Sequence, residues 1–127
     1  NEQSEQHYYD LILNAYKAKQ EKGYIILKGV KNNRAVAVGP FNLQVSRFFV
    51  EEVIKECALK KITTVDILGF EFEMGLFPNI RDVAAKQGVD LNCLYIHNNN
   101  CEADSILALL VKLNITNYIL YNESNDK

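Results

Sequence analysis

The spacing of the apolar residues changes repeatedly along this chain, and those changes constrain the fold more than any other feature. Near the start, Tyr8, Leu11, Ile12, Ala15 and Tyr16 recur at three- and four-residue steps, which places them on one face of a helix. Ser4 is the expected N-cap and Gly23 the expected stop. Two continuous apolar runs follow, Tyr24-Ile25-Ile26-Leu27 and Ala35-Val36-Ala37-Val38, too short for helices. Between them Lys28-Gly29-Val30-Lys31-Asn32-Asn33-Arg34 supplies a glycine and two asparagines suited to a turn, so the pair reads as a β-hairpin.

Beyond the break at Gly39-Pro40-Phe41-Asn42 the helical period returns. Residues 43–60 are predicted as a helix capped by Asn42, with Val45, Phe48, Phe49, Val53, Ile54 and Cys57 facing inward. Residues 62–72 read as a buried strand. Pro78 opens a further helix with Ile80, Val83 and Ala84 inward, closed by Gly88, and residues 91–96 form the next strand. Residues 103–113, with Ile106, Leu107, Leu110 and Val111 at helical spacing, and a short strand over 118–121 complete the series, and a loose polar tail covers 122–127. Strands separated by helices pair in parallel through crossovers. The expected fold is α/β and three-layered, a single domain over residues 1–127. Its mixed sheet has an N-terminal helix and β-hairpin followed by parallel Rossmann-like β-α units. Phe48, Phe49, Ile54, Ile67 and Leu68 are its expected core.

A chain of 127 residues can bury a core without disulfides or metals. Its three cysteines are odd in number and form no Cys-x-x-Cys pair, so they read as small apolar fillers in a reducing, cytoplasmic compartment. A zinc site from Cys93, His97 and Cys101 would have none of the usual spacings, and no metal is expected. No apolar run approaches the roughly 20 residues that span a bilayer, so no membrane partner is expected. The formal net charge of -2 argues against a free-standing nucleic-acid binder, while leaving room for a local basic patch. No phosphate loop, dinucleotide fingerprint, nucleophile elbow or His-Glu-x-x-His helix is present. No catalytic residue is assigned.

Three groups remain as candidate functional surface. Glu71 and Glu73 alternate with Phe70 and Phe72, so on a strand the two carboxylates share one face and the two rings the other. They stand at the carboxyl end of a parallel strand, where open α/β sheets place ligands. There they serve to cap a helix, to contact another domain, or to bind a cation. His97 follows the next strand and reaches the same edge. Lys28, Lys31 and Arg34 cluster in the hairpin turn as candidate phosphate contacts, against the plainer reading of a solvated tip. Lys55, Lys60 and Lys61 form a second cluster on and after the second helix.

His7-Tyr8-Tyr9, Val38-Gly39-Pro40-Phe41-Asn42, and the run from Asp66 through Gly69-Phe70-Glu71-Phe72-Glu73-Met74-Gly75 to Pro78 together carry a resemblance. Their order and spacing resemble the C-terminal region of a group of prokaryotic DNA modification methyltransferases, over about residues 7–96. The resemblance implies a parent enzyme that transfers a methyl group from S-adenosylmethionine to a DNA base. It implies that this chain, which begins without Met, is a C-terminal piece of that enzyme. Such enzymes carry an Asn- or Asp-Pro-Pro-aromatic catalytic motif and a Phe-x-Gly-x-Gly cofactor loop. Neither is in this sequence, where Pro40 and Pro78 stand alone. The implied role is a non-catalytic accessory domain that binds no cofactor itself. Its implied partners are the catalytic domain of the same polypeptide, DNA through the parent enzyme, and a second copy in a homo-oligomer. Two alternatives stay open. One is a divergent metal-dependent restriction-nuclease-like domain, although no Glu-x-Lys in a strand context is present. The other is a Rossmann-like ligand- or protein-binding module.

Overall fold

A computed structural model describes residues 2–40, 43–77 and 79–96. Among these residues three helices and five strands follow one another as α1 (Glu2–Tyr16), β1 (Lys19–Gln20), β2 (Gly29–Lys31), β3 (Arg34–Val38), α2 (Arg47–Leu59), β4 (Thr64–Gly69), α3 (Asn79–Lys86) and β5 (Asp90–Tyr95). The strands form one open sheet in the order β1-β2-β3-β4-β5. The first three are antiparallel neighbours, and β3, β4 and β5 are parallel. The expected α/β class and mixed sheet are therefore present. The expected helix over 103–113, strand over 118–121 and tail fall outside the described residues, as do Asn42, Pro78 and His97.

Alternation along the parallel strands sends side chains to two separate cores. Ala37, Val65, Ile67 and Leu91 pack beneath α2 and α3 with Val50, Val53, Ile54, Cys57, Ile80 and Ala84. Val36, Val38, Leu68 and Ile96 face the other way, onto Tyr8, Ile12 and Leu13 of α1. Helices thus cover both faces. Phe48, expected in the core, is 71% exposed. Its helix begins at Arg47 rather than near residue 43, and at 3.6 residues per turn Phe48 lies opposite the buried stripe of Val50, Val53, Ile54 and Cys57.

The helix ends explain where pattern reading slipped. Each helix stops in the same way. The residue after the cap adopts a left-handed backbone and donates its N–H back three residues, and the next N–H reaches back five. In α3 these are Gly88 (φ 81°), donating to Ala85, and Val89, donating to Ala84. In α1 the left-handed residue is Lys17 (φ 64°), and in α2 it is Lys61 (φ 60°). With lysine in the glycine position, α1 carries no visible stop at Tyr16, and Gly23 lies in a later loop instead. Ser4 is inside α1, which starts at Glu2, and so is not its cap.

The hairpin is also displaced. Its turn is Asn32-Asn33, both left-handed at φ 52° and 65°, a two-residue turn that matches strand twist. Tyr24 to Leu27 form no strand. The amides of Ile25, Ile26 and Leu27 donate instead to the Glu56 carboxylate on α2, at 2.6, 2.8 and 3.1 Å. Glu56 is buried and takes the bonds that a neighbouring strand would have supplied.

Candidate functional site

Tyr8, Gly39 and residues 69–72 meet at the carboxyl edge of β3 and β4. Tyr8 of α1 donates its hydroxyl to the Gly39 carbonyl at 2.9 Å, and its ring lies 6.4 Å from that of Phe70. The Gly39 amide donates to the Leu68 carbonyl. Val45 lies against both glycines. A Cβ on Gly39 would stand 2.5 Å from the Val45 Cγ2, and one on Gly69 would stand 2.6 Å from the same atom. Only glycine at both positions lets Val45 seat there.

Val45 is held by an isolated parallel bridge to Phe72. Its amide donates to the Glu71 carbonyl, and its carbonyl accepts from the Glu73 amide. The bridge keeps residues 71–73 extended after β4 has ended at Gly69, so Glu71 is exposed, Phe72 buried and Glu73 half-buried. Phe70 and Phe72, expected on one face, do not share it: Phe70 packs toward α1 and Phe72 toward α2 and α3, because the chain bends between the ladder and the bridge. Phe72 then stacks edge-on with Tyr95 and Phe77, at ring distances of 4.9 and 5.8 Å.

Glu73 works as a helix cap, on α2 rather than on the helix that follows it. Its Oε1 accepts the Arg47 amide at 3.0 Å, while the Ser46 hydroxyl accepts the Phe49 amide at 3.1 Å. A carboxylate there meets both the orphan N–H groups and the positive end of the helix. Glu71 makes no such contact through its side chain among the described bonds, so the two glutamates do not converge on one point. Among the described residues no group of three His, Cys, Asp or Glu side chains is placed to hold a metal ion. His97 and Cys101 lie outside those residues. Burial pushes the thiols of Cys57 and Cys93 up to about 11, the behaviour of packing groups rather than nucleophiles.

The basic candidates divide. Arg34 is committed: its Nε donates to Asp66 at 2.8 Å, its Nη1 to Asp90 at 3.1 Å, and its Nη2 to the carbonyls of Val65 and Asp90. Lys28 places its ammonium 4.5 Å from the centre of the Tyr9 ring, and Lys31 places its own 3.9 Å from that of Tyr16. Both lysines are thus steadied by cation–π contact with α1.

Asp66, one of two buried carboxylates among the described residues, sits at the head of an apolar run. It also accepts the Tyr16 hydroxyl at 2.9 Å and the Asn92 amide at 3.3 Å. Burial and the bond to Asp66 both raise the Tyr16 phenol above its usual range. The signals available for Asp66 and for Glu56 were a single acid within a buried strand and another on the inward face of a helix. Such acids need partners wherever they occur.

No protein-family model matches this chain, and no curated protein matches it significantly. No helix among the described residues is long and apolar enough to cross a membrane.

Proposed function

We propose that this chain is a non-catalytic accessory domain of a DNA modification methyltransferase, whose catalytic part transfers a methyl group from S-adenosylmethionine to a DNA base. The observation that carries the proposal is the convergence at Gly39, Gly69, Val45 and Tyr8. The segments with the family resemblance spend their unusual residues on one packed junction. In a Rossmann-like arrangement the carboxyl edge is where a ligand would enter. Here Val45 and Phe72 fill it at β3 and β4, which favours a packing role over a small-molecule site.

Beside that junction, the two bridged segments expose Leu43, Phe48, Met74 and Phe77, at 67%, 71%, 95% and 41%. Exposed apolar residues of this size suit a surface that another part of the same polypeptide covers. Glu71, on the same side, would repel phosphates and so suits a protein contact better than a DNA contact.

The restriction-nuclease-like alternative has one observation in its favour: a helix, an antiparallel three-strand meander and a parallel β-α-β unit occur in that order. Its chemistry lacks support, since β2 and β3 carry no carboxylate and Arg34 occupies Asp66 and Asp90.

The test is direct. The open reading frame that encodes these residues should also encode an Asn- or Asp-Pro-Pro-aromatic motif and a Phe-x-Gly-x-Gly loop. The isolated chain should give no heat on titration with S-adenosylmethionine. A reading frame without both motifs, or micromolar cofactor binding by the chain alone, refutes the proposal.

A further inference from the structure

The amino edge of the parallel strands gathers positive charge from four separate places. All three helices end there, because each leads into a strand that starts at that edge or, for α1, because Tyr16 reaches Asp66 while Tyr8 reaches Gly39. Lys17 follows α1, Lys60 and Lys61 follow α2, and Lys86 closes α3; all four are exposed. The hairpin tip joins them. The Thr64 hydroxyl donates to the Asn33 carbonyl at 3.2 Å, which ties the tip to the segment after Lys61, and Lys31 stands over Tyr16 beside Lys17. Of the acids near this edge, Asp66 and Asp90 are paired with Arg34, and exposed Asp82 lines one groove with Arg81, Thr63 and Asp90. Cations at helix C-termini also compensate the helix dipole, and that alone would explain a lysine in each last turn.

It does not explain lysine at the left-handed positions. Lys17 and Lys61 hold φ of 64° and 60°, a conformation that costs a side-chain-bearing residue on the order of 1 kcal/mol over glycine. Gly88 shows the cheaper solution in the same motif of the same protein. Two strained lysines at one edge point to a use for their side chains, since residues held in sparsely populated backbone regions cluster at functional sites.

We propose that this edge, with Lys17, Lys31, Lys60, Lys61 and Lys86, is a surface that binds the phosphate backbone of duplex DNA. The inference rests on the accessory-domain proposal for its choice of polyanion. Asn32, Asn33 and Thr63 add exposed hydrogen-bonding groups between the cations. Among the described residues, Leu59 is the one large exposed apolar side chain that belongs to this edge, too little to anchor it in a lipid surface. The acidic and apolar carboxyl edge lies at the far end of the strands. One end is thus free to contact the enzyme while the other meets the duplex.

Fluorescence anisotropy of a labelled 20-base-pair duplex with the whole chain tests this. Binding should weaken with salt along a log–log line of slope about -3 to -4, as expected when roughly four phosphates are neutralised. The double variant Lys17→Gly, Lys61→Gly should flatten that slope by about 2 while raising the thermal midpoint, since every phosphate left without its lysine lowers the slope by about 0.9. Lys22→Gln, in the loop after β1, should leave the slope unchanged. No binding at low salt overturns the proposal, as does a double variant with undiminished slope. So does binding to anionic phosphatidylserine vesicles without binding to the duplex. DNA binding of the expected kind from a reading frame without methyltransferase motifs would retain this surface and remove only the parent assignment. Motifs without DNA binding would do the reverse.

Discussion

Replacing Glu56 with alanine should be among the most damaging single changes in this domain that creates no large cavity. Its carboxylate accepts the amides of Ile25, Ile26 and Leu27 and is 7% exposed. A hydrogen bond to a charged group contributes about 1.5–3 kcal/mol net when shielded. Leu27 is buried, but Ile25 is 87% exposed and its amide can recover water, so the three bonds do not add at full value. A loss of about 3 kcal/mol is expected, mainly from the Leu27 and Ile26 donors. For a domain of this size that corresponds to a fall of roughly 10 °C in melting temperature. Glu56→Gln keeps one acceptor oxygen without the charge and should lose about half as much, since neutral hydrogen bonds are roughly half as strong.

The pH dependence separates this account from simple loss of packing. Burial alone would raise the Glu56 carboxyl. The three amide donors, helped by Lys60, more than offset burial and hold the group below its ordinary value. A depressed folded-state value stabilises the protein above the unfolded glutamate value of about 4.3, and that stability is lost as pH falls through the folded value. Urea titrations at pH 7 and near pH 3 should therefore show the gap between wild type and Glu56→Gln shrinking in acid. A gap that does not change with pH, or a Glu56→Ala melt within about 2 °C of wild type, would refute the role assigned to this carboxylate, given the roughly 10 °C expected.

Gly69→Ala should destabilise by roughly 2 kcal/mol or more through the clash with Val45, in the range of other overpacking changes, and Val45→Ala should restore part of it in the double variant. Chemical denaturation of the four proteins in that cycle gives the coupling; additive effects would mean that Val45 is not what the Cβ meets. Lys61→Gly alone should stabilise by about 0.5–1 kcal/mol, read from the urea midpoint, because the left-handed residue at the end of α2 then carries no Cβ. Ile67→Ala, at a fully buried site in β4, should cost about 2–5 kcal/mol in the same assay.

Pattern reading recovered what repeats along the chain. The apolar run of β4, the short apolar segment of β5, the stripe of α1 and the helical spacing of Ile80 and Ala84 each mark an element that is present, although α1 ends at Tyr16 rather than near Gly23 and β4 covers only 64–69 of the expected 62–72. It failed where a single side chain replaces a pattern. Tyr24 to Leu27 are as apolar as a strand, yet their amides go to one carboxylate from a helix 30 residues on, and no local window contains that partner. Phe48 lies opposite the stripe of Val50, Val53, Ile54 and Cys57, and counting Val45 as helical is what draws it in. Val45 belongs instead to the bridge with Phe72, again a contact distant in sequence.

The candidate site follows the same division. Glu71 and Glu73 were legible as a pair because strand alternation persists through the bridge, but their separate fates were not. Glu73 is drawn to the amide end of α2, a helix that precedes it in the chain, while Glu71 remains exposed. A cap on α2 locks residues 71–73 against Val45, and with them the two glycines that admit Val45. The edge where a related sheet would open to a ligand is closed here by its own chain. Removing the Glu73 carboxylate should therefore loosen Val45 before it affects any bound molecule, and faster amide exchange at Val45 and Arg47 in Glu73→Gln would be the first sign. Unchanged exchange at both amides would mean that the bridge stands without the cap.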